Sequence, residues 1–304
     1  MSAWFERFDE QAARLLPELA VLRNEPMSRY TSFRIGGGAT RMAKVKSCAE
    51  LSELLSLVEK EGFPYLIIGN GSNLLVSDAG VDRLVIHTGE LDRMELLEKN
   101  VIYAEAGVSL AQLAVFAMKH SLTGLEFAHG IPGSLGGAVC MNAGAYGGEM
   151  VQVVTEVKAW LPGRGECAMT PEELALSYRH SYFSDHDGVV LGAKLALRKG
   201  DEAEIRGQME DLIRRRKEKQ PLNFPSAGST FKRPEGHFAG ALIEQCGLKG
   251  FSVGGAQVSE KHAGFVINTG NASCADVLNL IEQVRETVLR QTGVLLEPEV
   301  RIID

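Results

Sequence analysis

The residues best suited to chemistry fall into three kinds of stretch: glycine-rich turns, an isolated cation, and hydroxyls or carboxylates beside small residues. Gly69-Asn-Gly-Ser-Asn73 follows the apolar run 64–68, so its successive backbone N–H groups suit an anion such as a pyrophosphate. A strand-like Leu-Leu-Val-Ser-Asp follows it in place of a helix, so it is not the GxGxxG dinucleotide fingerprint. A tight strand-to-strand connection would use the same residue types. The weight comes from a second turn, His129-Gly-Ile-Pro-Gly-Ser-Leu-Gly-Gly137, which is read as a further set of free amides. Two such loops before residue 150 suit a large ligand carrying a diphosphate.

The second turn lies in a longer run, Gly124 to Gly148, in which eight residues are glycine. That density costs backbone entropy and is kept where φ is positive or where main chain must approach another surface closely. A flexible linker would be polar, whereas this run carries Leu125, Phe127, Ile131, Leu135, Val139 and Met141. It is therefore read as an ordered, buried, ligand-facing loop.

The isolated cation is Arg179 in Tyr178-Arg-His-Ser181, suited to holding a carboxylate bidentately, although a surface ion pair would use it too. Pro225-Ser-Ala-Gly-Ser-Thr-Phe-Lys232 sets hydroxyls beside a lysine. Ser229 lacks the GxSxG elbow of a serine nucleophile. Glu297-Pro-Glu299 reads either as exposed strand-end carboxylates or as part of a site. Seven histidines are dispersed without HExxH or HxH spacing, so no metal site is expected.

The elements that must position these residues follow from periodicity. Phe5, Phe8, Ala12, Leu15 and Leu19 recur at helical spacing, so the chain opens on an amphipathic helix rather than a signal peptide. Ser47-Cys-Ala-Glu50 is a capping box opening a helix to about Gly62; Ser109 to Gln112 and Thr170 to Glu173 repeat the device. Strands are expected near 42–46, 64–68, 83–88, 101–106, 155–161, 189–197, 263–269 and 294–303. Helices are expected from Ile205 to about Lys219, over 238–246 and over 273–292. Mixed strands and helices in both halves indicate α+β domains. The boundaries expected are 1–95, 96–200 and 201–304.

Composition excludes several classes. The chain has 304 residues, 45% of them hydrophobic and 23% charged, with a net charge of −7. That balance argues against a nucleic-acid binder or a ligand of anionic membranes. The basic cluster 214–219 reads either as a solvated helix face or as a diphosphate-facing patch. The five cysteines form no CxxC pair and read as free thiols in a reducing compartment, so a cytoplasmic location is expected.

Taken together, YTSFRIGG, GNGSNLLVSD, GIPGSLGGAVCMNAGAYG, YRHSYF, GSTFKRP, KHAGFVIN and LEPEVRII resemble one family, in that order, from about Tyr30 to Ile303. It is the UDP-N-acetylenolpyruvoylglucosamine reductase (UDP-N-acetylmuramate dehydrogenase) family. The resemblance implies a vanillyl-alcohol-oxidase/PCMH-like FAD fold of two subdomains followed by an α+β substrate domain. It implies FAD and NADPH as cofactors, a UDP-sugar as substrate, and a role in peptidoglycan precursor synthesis, cell shape and cell division. A monomer is expected.

Carried over by motif, Asn70, Gly71, Ser72, Asn73, Gly130, Ile131, Pro132, Gly133, Ser134, Gly136 and Gly137 would hold FAD. Ser229 matches the proton donor, Arg179 the residue that polarises the substrate carboxylate, and Glu299 the catalytic glutamate. Tyr146, Tyr178, Lys217, Lys219, Lys232 and His262 fall where the family contacts the UDP-sugar. Arg233 after the Phe-Lys pair, and the lack of an inserted Tyr-bearing loop between Arg179 and Gly200, resemble the short (type II) form. Two other readings stand beside this one: another FAD oxidoreductase of the same superfamily, and a non-catalytic flavin or UDP-sugar sensor.

Overall fold

The computed structural model describes residues 3–304. Its chain divides into two compact units, one of Met1–Arg23, Arg41–Asn70 and Arg83–Arg214, the other of Asn24–Thr40, Gly71–Asp82 and Arg215–Asp304.

The first unit has two apolar cores. One gathers Phe8, Ala12, Leu51, Leu54, Leu55 and Val58 against Leu84 and Ile86. The opening helix, Trp4–Leu15, buries Phe8 and Ala12 as its spacing predicts. It is tied down by Asp9, which accepts from Arg41 Nε at 2.7 Å and Nη2 at 2.8 Å. The helix Cys48–Glu61 starts where Ser47 accepts from Glu50 N–H and ends at Gly62 with φ +66°. The box is not reciprocal, because the Glu50 carboxylate takes the amide of Lys46 rather than that of Ser47. These elements lean on a four-stranded sheet in the order 20–26, 38–44, 81–87, 65–68, the last pair being parallel from Tyr65 and Leu84 to Ile68 and His87.

The other core is built on a five-stranded antiparallel sheet in the order 165–169, 154–161, 189–196, 101–105, 94–96. Here the inward residues Ile102, Ala104, Val157, Ala193 and Leu195 meet Leu113, Ala114 and Ala117 of the helix Leu110–Lys119. That helix opens on a complete capping box, Ser109 with Gln112, as expected. The run 124–148 is ordered but is not one loop: it contains a helix, Leu135–Cys140, and the short hairpin Gly144–Ala145 with Gly148–Glu149. Small residues permit the helix because Leu135, Ala138 and Val139 bury its inner side.

In the second unit the helix Cys274–Thr292, capped by Ser273, buries Val277, Leu280, Ile281, Val284 and Val288 against the helix Ala239–Gln245 and a three-stranded sheet of 252–253, 256–258 and 266–268. Asp78 extends that cap by accepting from the amides of Cys274 at 2.9 Å and Ala275 at 3.2 Å. The segment 294–303 is a strand only over Arg301–Ile303, parallel to Leu74–Val76. Pro298 interrupts it, leaving an isolated bridge to Phe231.

Candidate active site

Each unit holds its own set of the residues singled out by sequence. In the first, the strand Tyr65–Ile68 delivers Gly69, and the chain that turns at Ser134 lies directly against it. A Cβ on Gly69 would stand 2.1 Å from Ser134 Oγ, so glycine is what lets the two loops touch. The Ser134 loop is held by Leu110 N–H to the Gly133 carbonyl at 3.0 Å, Leu135 N–H to Val108 at 2.8 Å and Gly136 N–H to Ala106 at 2.8 Å.

The expectation of a wholly free set of amides is thereby corrected. Ile131, Leu135 and Gly136 spend theirs on Ala128, Val108 and Ala106, because the segment builds structure of its own. The N–H groups of Gly130, Gly133, Ser134 and Gly137 donate to no backbone acceptor among the described residues, and neither do those of Asn70, Gly71 and Ser72. Gly71 takes φ +56° with the Tyr30 carbonyl 1.9 Å from where a Cβ would sit. The consecutive unspent amides of 70–72, at a turn with no room for a side chain on Gly71, suit an anion such as a diphosphate, and those of Gly133 and Ser134 are a second such pair, in the first unit.

Arg179 stands in a tight turn. Ser177 and His180 exchange backbone hydrogen bonds at 3.1 and 3.2 Å, which leaves Arg179 at φ +54°, a conformation that favours glycine. Its Nη2 donates to the Gly144 carbonyl at 3.3 Å, and its guanidinium lies 5.2 Å from the Tyr178 ring centroid. Gly144 begins the hairpin whose turn presents Tyr146 at φ +53°, 49% exposed. Arg179, Tyr178 and Tyr146 are therefore gathered, with both rings open to solvent.

In the second unit Gly228, at φ +78°, is followed by an exposed Ser229 and a buried Thr230. Thr230 anchors the segment on every side: its N–H donates to Gly264 at 2.9 Å, its hydroxyl accepts from Val266 at 2.9 Å, and its carbonyl accepts from Glu299 N–H at 2.8 Å. Ser229 is thus an exposed residue beside a fixed one, and Thr230 joins it to the segment that carries Glu299. The Asn73 side chain, grouped with the diphosphate residues by sequence, donates instead to the Glu299 carbonyl at 3.0 Å.

Lys217 lines a cavity of about 590 Å³ together with Gln220, Phe224, Gln257, Ser259 and Lys261. The buried Oε1 of Gln220 has no hydrogen-bond partner among the described residues. Lys219, two residues along the same helix, does not line the cavity, since a two-residue step turns a helix by roughly 200°. Lys232 pairs with Glu297 at 3.1 Å. His262 is packed edge-on to Phe265, and its Nδ1 accepts from Gly264 N–H at 3.1 Å. Burial, first, holds its pKa below the usual histidine value, which suits that neutral acceptor.

Sequence reasoning passed over Asn142, now seen at the base of the Arg179 turn. Its only signal was an amide among small residues, in Asn-Ala-Gly-Ala-Tyr-Gly.

Residues 39–170 match the family described as FAD binding domain, and residues 220–303 match the UDP-N-acetylenolpyruvoylglucosamine reductase C-terminal domain. The chain is 49% identical over 97% of its length to a UDP-N-acetylenolpyruvoylglucosamine reductase of Caldanaerobacter subterraneus subsp. tengcongensis, covering 97% of that protein. It is likewise 49% identical to that of Agathobacter rectalis, over 98% of both chains. The crystal structure of the Thermus caldophilus reductase superposes with a TM-score of 0.79 at 35% identity, covering 94% of this chain and 99% of that one. With its motifs in order and both of its domains matched, this chain belongs to the UDP-N-acetylenolpyruvoylglucosamine reductase family.

Proposed function

We propose that this chain carries out the reaction of its family with Arg179, Ser229 and Glu299 as its catalytic residues. The enzyme is an FAD-dependent oxidoreductase that reduces the enolpyruvyl group of a UDP-N-acetylglucosamine derivative in peptidoglycan precursor synthesis. The observation that carries the residue assignment is the placement of Ser229: exposed, on backbone fixed through Thr230, and next to the chain bearing Glu299.

FAD, when bound, supplies the hydride chemistry between NADPH and the enolpyruvyl C3. The amides of 70–72, Gly130, Gly133, Ser134 and Gly137 fit its diphosphate. Ile131, Pro132 and Gly136 shape the same loop. Arg179, permanently charged and planar, neutralises the charge that develops on the substrate carboxylate. Ser229 gives its proton to C2. A serine hydroxyl is a weak acid, so its position counts for more than its pKa. Glu299, in its protonated form, adds a hydrogen-bond donor.

Tyr146 and Tyr178 offer exposed rings to the UDP-sugar, and Lys217 offers a cation at the cavity with the unpaired Gln220 acceptor. We assign Lys219, Lys232 and His262 to the edges of substrate binding, with His262 acting as a packed support. We keep a division at about residue 95 into two FAD-binding subdomains and a substrate domain from about 201 as our reading; Ile205 and Met209 still pack in a core of the first unit, and the last stretch of the second unit opens at Arg215. We further place the enzyme in the cytoplasm as a monomer that contributes to cell shape and division. Its cysteines are free and its substrates are multiply charged. Among the described residues no helix is long and apolar enough to cross a membrane.

Stopped-flow measurement of the two half-reactions tests the assignment. Ser229→Ala is expected to spare reduction by NADPH and to slow reoxidation by the enolpyruvyl sugar; equal rates in both would remove Ser229 from the reaction.

A further inference from the structure

Arg179 occupies a turn that its own residue type disfavours, so something else must hold the turn in place. Both ends are held from one direction. At the leading end, Asn142 Nδ2 donates to the Ser177 carbonyl at 3.0 Å. At the trailing end, the hydroxyl of Ser181, which is 0% exposed, donates to the Cys140 carbonyl at 2.7 Å. Cys140 is the last residue of the helix Leu135–Cys140, and Asn142 follows it two residues later.

Asn142 is 1% exposed and itself adopts φ +41°. Its side chain leaves no polar group idle. Besides Ser177, Nδ2 donates to Glu149 Oε2 at 3.0 Å, and Oδ1 accepts from Val151 N–H at 2.9 Å. Glu149 is the hairpin partner of Gly144, the residue whose carbonyl takes Arg179 Nη2, and Val151 lies two residues after Glu149. One buried amide therefore links the turn carrying the guanidinium to the hairpin on which that guanidinium rests.

We propose that Asn142 is a positioning residue for Arg179, with Ser181 as the second clamp on the same turn. This rests on the assignment of Arg179 to the substrate carboxylate. The amide does not touch substrate; it holds the Ser177–Ser181 turn and the 144–149 hairpin in register, so that the guanidinium reaches its working place already oriented. A displacement of the guanidinium by about 1 Å is enough to cost on the order of 10²-fold in rate.

The test is a double-mutant cycle on the holoenzyme. Asn142→Gly is the variant of choice, because glycine accepts the positive φ and only the clamp is lost. Reoxidation by the enolpyruvyl sugar is expected to slow about 10- to 100-fold, with FAD affinity and reduction by NADPH within a few-fold of wild type. In the Arg179→Ala background the same change is expected to alter reoxidation by less than about two-fold, since nothing is left to position. An undiminished effect in that background would overturn the proposal and leave Asn142 as a general support. If Arg179→Ala alone leaves reoxidation intact, the assignment of Arg179 fails instead, and the two failures are told apart. Should Asn142→Gly not fold, Ser181→Ala carries the same cycle, with Ser181→Thr restoring the hydroxyl; Ser181→Ala at wild-type reoxidation would equally overturn the clamp.

Discussion

The amide of Glu299 donates to the carbonyl of Thr230 at 2.8 Å, joining the segment that carries this glutamate to the one that carries Ser229. The segments are brought together across the bridge of Phe231 to Pro298 by this hydrogen bond and by Lys232 N–H to the Glu297 carbonyl at 2.9 Å. Thr230, not Ser229, is the anchored residue: it is buried, whereas Ser229 is exposed. Thr230→Val would leave the Val266 amide unpaired and should cost about 1–3 kcal/mol in stability, read by chemical denaturation. Reoxidation should slow as well if Ser229 depends on this anchor.

Glycine at 71 is required twice over, by φ +56° and by the nearness of the Tyr30 carbonyl. Gly71→Ala is expected to lower the affinity for FAD at least about ten-fold and to destabilise the chain by roughly 1–3 kcal/mol. Titration of apoprotein with FAD and thermal melting measure the two effects separately. Unchanged affinity would remove the 69–73 turn from the diphosphate site.

Arg179→Lys keeps the charge and loses the planar fork. Reoxidation by substrate should largely disappear while reduction by NADPH remains measurable. Rapid reoxidation in this variant would show that a point charge suffices and that the fork is not used.

Asp9 lies between Arg41 and Arg23, and the hydrogen bond from Arg41, first, holds its carboxyl below the usual aspartate range. A depressed folded-state pKa means that its stabilisation is present above the unfolded value, near pH 3.8, and is lost as pH falls through the folded value. Asp9→Asn should therefore lower stability at pH 7 by about 1–2 kcal/mol and have little effect once the carboxyl is protonated. Melting curves from pH 7 down to about pH 2 check the sign; a penalty constant across that range would contradict it.

Elements with local signals were legible in the sequence. The capping boxes at Ser109 and Thr170 and the serine caps at Ser47 and Ser273 all start helices where expected, because an N-cap is satisfied within four residues. The glycine turns were found for the same reason. What escaped was set by partners far away in the chain. The short helix Leu135–Cys140 is stabilised by the apolar core beneath it, and its glycines argue against a helix locally. The closing strand shrinks to Arg301–Ile303 because its partner, Leu74–Val76, is only that long. Lys217 and Lys219 looked like a pair because they are two residues apart in sequence, but helical geometry sends them to different faces. Asn142 gave little signal beyond an amide among small residues, because its three side-chain contacts are with Glu149, Ser177 and Val151, which no local pattern connects to it.

The central claim is tested most directly by following the visible flavin band of the purified protein through one catalytic cycle. A yellow protein carrying non-covalent FAD should bleach with NADPH and recover its colour on adding UDP-N-acetylglucosamine enolpyruvate, in the absence of oxygen. A protein that takes up no FAD, or one that bleaches with NADPH and is not reoxidised by the enolpyruvyl sugar, would contradict the account.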